Sequence, residues 1–248
     1  MRVVPGNEYG PLASSTDPLS VFPSYGLARG LWNGAGCADY LDSVTANLVG
    51  IFGRAVSGTG AGSSAISCES NSPGIHRYTT GTDTTGRSST CLYTESLDPT
   101  SGVLHWRARF RVPTASDGTN TYAVTAGFIF SITDPTGGAR AACFRYTHST
   151  NSGLLVAACR LGGSEAGSTF NTTVDPVITT GFIDVEIKLD QPNNLVTFVS
   201  NGAVLTTMNT NVPNLPIGVG VSIIKSAGTA ARTFDIDAQG IWQGGLSR

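Results

Sequence analysis

Of 248 residues, fifteen are Lys or Arg and seventeen Asp or Glu, a formal net charge of −2, with charged residues making up 13%. Gly (31), Ser (25) and Thr (30) supply about a third of the chain, whereas lysines number two and glutamates five, which excludes a coiled coil or helical bundle. The charge balance lacks the concentrated basic footprint that nucleic acid requires, and 40% hydrophobic residues exclude wholesale disorder.

The first segment, residues 1–35, spreads Pro5, Pro11, Pro18 and Pro23 among Gly, Ser and Tyr and sustains neither a strand nor a helix period. Its scattered anchors, among them Tyr9, Leu12, Phe22, Tyr25 and Trp32, predict an extended arm that orders against a sister subunit or another protein, since a solvated linker would lack them. The opening residues MRVVPGNEYG contain no apolar core of the kind a secretory signal needs, and no run of about 18 apolar residues is present to span a membrane.

Residues 36–248 read as strands and turns. Short candidates at 63–67, 75–80 and 88–94 precede Val103 to Val112, where Leu104, Trp106, Ala108, Phe110 and Val112 alternate with His105, Arg107, Arg109 and Arg111. Residues 122–132 are nearly all apolar, as in a strand buried on both faces. The five cysteines read as buried apolar thiols rather than a disulfide framework. The one exception is the hairpin predicted from segments 141–148 and 154–161, where Cys143 and Cys159 stand near-opposite and could pair on oxidation, although opposed strand positions usually do not suit disulfide geometry. Residues 181–190 alternate again, with Asp184, Glu186, Lys188 and Asp190 outward. Asn201-Gly202 between two apolar runs predicts a type I′ hairpin turn. Strands at 218–224 and 233–242 close a set of about a dozen, as expected of an all-β sandwich.

Two stretches carry a resemblance. Residues 182–190, then VTFVSNGAVLTTM and IGVGVSIIKSAGTAARTFDIDAQGIW, resemble the late strands of concanavalin A-like (laminin G-like) jelly rolls. Upstream, SGTGAGSSAISCESNSPGIHRYTTGTDTTGRSSTCLYTE resembles a form of this fold found in tailed-bacteriophage virion proteins. The resemblance covers residues 37–243. It implies a two-sheet antiparallel jelly-roll sandwich preceded by the arm, and a virion role such as capsid decoration or head fibre. It also implies synthesis in the host cytoplasm, contact with the major capsid protein or other virion proteins, and a homo-oligomer, for which a trimer is expected. The alternative is a tail-borne lectin-like module that binds a host glycan.

The fold also includes glycosidases whose active strand carries Glu-x-Asp-x-(x)-Glu. Here the comparable strand offers Asp184, Glu186, Lys188 and Asp190, so a lysine stands where the third carboxylate should be, and a non-enzyme is expected. The basic stripe His105, Arg107, Arg109 and Arg111 is expected to form a cross-strand charge ladder with Asp184, Glu186 and Asp190, each pair contributing about 0.2–1 kcal/mol. Asp190-Gln191-Pro192-Asn193-Asn194 reads as a turn rather than a calcium loop. Scattered histidines and unpaired cysteines imply no metal or other cofactor.

Overall fold

The computed structural model describes residues 29–34, 53–57, 64–69, 72–131, 133–134, 136–148, 150–165 and 172–244. Its strands are, in chain order, β1 (Arg29–Gly34), β2 (Gly53–Ser57), β3 (Ser64–Glu69), β4 (Ser72–Thr79), β5 (Arg87–Leu97), β6 (Val103–Arg111), β7 (Tyr122–Ile129) and β8 (Ala141–Tyr146). They continue with β9 (Val156–Leu161), β10 (Ser164–Glu165), β11 (Ile183–Asp190), β12 (Leu195–Ser200), β13 (Ala203–Met208), β14 (Ile217–Lys225) and β15 (Thr233–Gly244).

Alternation dictates how these strands lie. β6 buries Leu104, Trp106, Ala108 and Phe110, and β11 buries Ile183, Val185, Ile187 and Leu189, while the intervening residues face outward. A period of two can bury its apolar half only if each strand forms one layer over a shared core. At the β12–β13 turn, Asn201 (φ 47°) and Gly202 (φ 79°) both take the left-handed conformations that a type I′ turn requires. β7 is apolar on both faces and sits centrally in its sheet.

The result is two antiparallel sheets, an all-β jelly-roll sandwich. Sheet A runs β13-β12-β11-β6-β15-β4-β3, with β1 also paired to β15; sheet B runs β10-β9-β8-β7-β14-β5-β2. β15 lies against β6 along most of its length, and on its other side its first half takes β4 and its second half β1. The core between the sheets joins Trp106, Phe110, Phe128, Phe144, Phe198 and Phe234, each at most 1% exposed. Each such burial contributes about 1.5–3 kcal/mol. Gly127 marks a tight approach between sheets: at φ 135°, a Cβ there would lie 2.5 Å from Ile187 Cδ1. Segment 172–178 ties the layers together at one end, since Val112 N–H donates to Pro176 O (2.8 Å) and Leu155 N–H to Val174 O (2.8 Å).

Three expectations change. Arg29–Gly34, read within the arm, forms a sheet strand, with Trp32 opposite Gly240; Tyr9, Leu12, Phe22 and Tyr25 lie outside the described residues. The near-opposite placement of Cys143 and Cys159 is off by one residue. The 141–161 hairpin is present, but Cys143 stands opposite Ala158 and Cys159 opposite Ala142. That one-residue offset sends Cys159 into the main core and Cys143 to the other face of sheet B, and both are free thiols. Burial pushes the Cys143 thiol up to about 12 and raises Cys159 further. Finally, Arg111, expected on a solvent-facing stripe, is 2% exposed.

Candidate functional site

The charged residues singled out from the sequence meet on the outer face of sheet A, where β6 lies between β11 and β15. In register, Glu186 stands opposite Arg107 and Asp184 opposite Arg109. His105 Nδ1 lies 3.2 Å from Glu186 Oε1. Arg109 and Arg111, however, engage β15. Arg109 Nε is 3.6 Å from Asp237 Oδ2, and Arg111 Nε donates to Asp235 Oδ2 at 2.9 Å. Asp190 was expected in the ladder, but it accepts from Asn193 Nδ2 (3.0 Å) and lies 3.9 Å from Lys188 Nζ on its own strand. The physical reason is the sheet order: β15, carrying two aspartates, flanks β6 on the side away from β11.

Asp235 is the anchor of this face. It is fully buried, and Arg77 grips it bidentately, Nε to Oδ1 and Nη2 to Oδ2, both at 2.7 Å. Arg111 completes the arrangement while donating Nη1 to Thr179 O at 3.2 Å. Phe182 caps it, its ring centroid 4.7 Å from the Arg111 guanidinium carbon and 5.6 Å from that of Arg109. Burial raises the pKa of the nearby Asp237; Arg109 opposes that shift and Asp184 adds to it. On the outer face of β11, Glu186 meets His105 and Lys188 lies nearest Asp190, with Lys188 where a third carboxylate would stand.

A second cluster lies on the outer face of sheet B. Ile129, Ala141, Cys143, Val156 and Ala158 form a small satellite core, each at most 1% exposed. At its margin Arg145 Nη2 donates to Glu165 Oε1 at 2.5 Å, and Arg160 Nη1 lies 3.9 Å from Glu165 Oε2. Burial raises the Asp134 pKa, but Thr136 hydrogen bonds and the charges of Arg160 and Arg145 outweigh it, so the net shift is downward. Arg140 stacks over Phe130 at 4.2 Å. The cluster therefore brings guanidinium, carboxylate and hydroxyl groups together, with Asp134 close enough to Arg145 and Arg160 to feel their charge.

Arg77, Asp235, Asp237, Phe182 and the Arg145–Glu165–Arg160 set were not among the site residues expected from sequence. Phe144 and Tyr146, on one face of β8, face the core: Phe144 meets Phe198 edge-on at 5.3 Å and Tyr146 meets Tyr122 at 5.7 Å. Residues 190–194 form a turn, with Asn194 at φ 50°. Among the described residues no cluster of three or more His, Cys, Asp or Glu is placed to hold a metal ion, and no helix is long and apolar enough to cross a membrane.

The architecture is shared with known structures. The protein of unknown function SO2946 from Shewanella oneidensis MR-1 superposes with a TM-score of 0.60 at 12% identity, covering 87% of this chain and 86% of that one. The carbohydrate recognition domain of Emp47p gives 0.52 at 12% identity (84% and 97% covered), and the Bacillus licheniformis β-glucanase 0.54 at 11% (87% and 98%). At such identities the likeness establishes the fold, a concanavalin A-like jelly roll that serves both lectins and glycosidases. No curated protein matches the chain in sequence. Residues 71–237, from β4 into the bulge of β15, match the family described as SO2946-like, C-terminal domain, and the chain belongs to that family.

Proposed function

We propose that this chain is a non-enzymatic structural protein of a tailed-bacteriophage particle, a capsid decoration or head-fibre protein held through the residues that precede Arg29. One observation carries the display geometry. Arg29 pairs with Gln243, so β1 begins and β15 ends at the same end of the sandwich. A domain tethered at one end can present the other, built by the loops at 80–86, 112–121, 172–182 and 226–232. The virion assignment draws on the resemblance in the Gly-rich and Thr-Gly block. The absence of catalysis draws on the outer face of β11, where Lys188 interrupts the carboxylates and His105 occupies Glu186. In this reading sister copies associate and the arm packs on the major capsid protein. Copy number in purified particles, from gel densitometry, tests it: hundreds per particle supports decoration, and a handful overturns it. Removing residues 1–28 should abolish attachment; particles that still acquire the truncated protein would refute the tether.

A second reading is saccharide recognition on the outer face of sheet B. It is favoured by the Arg145–Glu165–Arg160 set near Asp134, groups that can offer both donors and acceptors to sugar hydroxyls. Glycan-array binding that free sugar competes away, and that Arg145→Ala weakens, would support this reading. A silent array would remove it.

A further inference from the structure

The edges of the two sheets are not alike. Among the described strands, β1, β3 and β13 are edges of sheet A, and β2 and β10 are edges of sheet B. Proteins guard such edges, with their unpaired N–H and C=O groups, by placing charges on them or keeping them short. Four of the five follow that rule: β1 contains Arg29, β2 Arg54, β3 Glu69, and the two-residue β10 ends in Glu165. β13, AVLTTM, carries no charge. It lies in the longest neutral stretch near it: residues 191–224 include no Asp, Glu, Lys, Arg or His, where 13% charge would place about four. Val204, on β13, is 63% exposed, and Leu215, in the same neutral stretch, is 52% exposed; they are the exposed large hydrophobics among the described residues. The register slip between Phe198 and Val199 puts Val204 opposite Val199 and Thr207 opposite Thr197. The edge therefore presents a neutral outer surface of Thr197, Val199, Val204 and Thr207.

We propose that β13 is a homotypic docking edge: β13 of a second copy pairs antiparallel with it, and sheet A runs continuously through a two-fold axis. The partner's chemistry follows from the strand. A charge-free edge offers no complementary charge to select a foreign protein, whereas an identical neutral strand satisfies its backbone groups without like-charge repulsion. Antiparallel pairing of identical strands closes at two copies. This goes beyond the virion assignment and does not depend on it.

The test is sedimentation velocity of the full chain from low to high micromolar concentration, with hydrogen exchange read on β13. The expected result is a monomer–dimer equilibrium in which β13 amides exchange more slowly as the dimer fills. Val204→Lys and Thr207→Lys, both at exposed positions, should each weaken association by about tenfold or more, because the two-fold axis brings two added like charges into one neutral seam. Thr114→Lys, on an exposed loop elsewhere, should leave it unchanged. A chain that stays monomeric, assembles with three-fold stoichiometry, or dimerises equally well in both edge variants with β13 exchange unaltered overturns the proposal.

Discussion

Asp235→Asn should be the most damaging single polar change in the described fold. The carboxylate is fully buried, and Arg111 beside it is 2% exposed, so neither can recover its hydration if the partner's charge is lost. Arg77 contributes two 2.7 Å bonds and Arg111 one Nε bond of 2.9 Å, with its Nη2 also 2.9 Å from Oδ2. Arg77, 33% exposed, can swing toward water, but Arg111 is held by Thr179 and Phe182 and would stay buried with half its compensation gone. Breaking a buried pair from one side costs about 3–5 kcal/mol, against about 0–1 for a surface pair. For a domain of this size that corresponds to a fall in Tm of about 10 °C. Urea unfolding followed by tryptophan fluorescence would measure it. Asp235→Leu combined with Arg111→Met should recover most of the loss, since the cost lies in the stranded charge rather than in missing attraction. A loss below about 1 kcal/mol for Asp235→Asn would refute the reasoning, because it would mean that water reaches the pair.

Other outcomes follow from the same structure. Burial raises the pKa of Asp237, so the folded protein holds that proton more tightly than the unfolded chain does. The stability this confers is full below about pH 4 and is lost as pH rises through the folded value. Asp237→Asn should therefore gain stability relative to wild type as pH rises above about 4, read as urea midpoints across a pH series; a gap that stays constant would contradict it. Cys143 and Cys159 should resist iodoacetamide at about pH 8 in the native protein and react once it is unfolded, because burial keeps both protonated. A Cys143–Cys159 disulfide in peptide maps after mild oxidation would show that the hairpin register is wrong. Gly127→Ala should cost about 2–4 kcal/mol, since its Cβ would press on Ile187 Cδ1 and its φ of 135° disfavours a side chain; an unfolding midpoint within error of wild type would count against that packing.

The strands that encode their own period were legible: β6 and β11 alternate without a break, and Asn201-Gly202 fixes its turn by local chemistry, whereas β1, inside the proline-spaced segment, carries no such period. The sandwich followed, since so many half-apolar strands have no other way to bury their faces. The charged site was only partly legible. His105, Arg107, Arg109 and Arg111 announce an outward stripe, but which strand answers them is a matter of sheet order, set by contacts between residues more than a hundred positions apart. β15 adds a local complication. Asp235 pairs with Arg111 and Ile236 with Phe110, but Ala238 pairs with Arg109, so Asp237 is an inserted bulge residue. Its signal exists in the sequence as a change of phase: Phe234 and Ile236 point inward, and after the insertion Gln239 and Ile241 do. The placement of Cys143 against Cys159 was off by one residue for a similar reason, since hairpin register depends on a loop geometry that composition does not specify.

The order in which strands enter the sheets has a consequence for synthesis. β14 lies between β7 and β5, and β15 between β6 and β4, so the last two strands are the seams that join two part-sheets in each layer. Until a ribosome has delivered Ile217 onward, the nascent chain can hold β10-β9-β8-β7 and β5-β2 in one layer and β13-β12-β11-β6 and β4-β3 in the other, each with an open inner border. Contacts such as Arg29 with Gln243 span nearly the whole chain, which makes folding slow and leaves those borders free to pair with neighbouring chains while they wait. Chaperone dependence and misassembly should therefore be concentrated in the interval before β14 and β15 leave the exit tunnel.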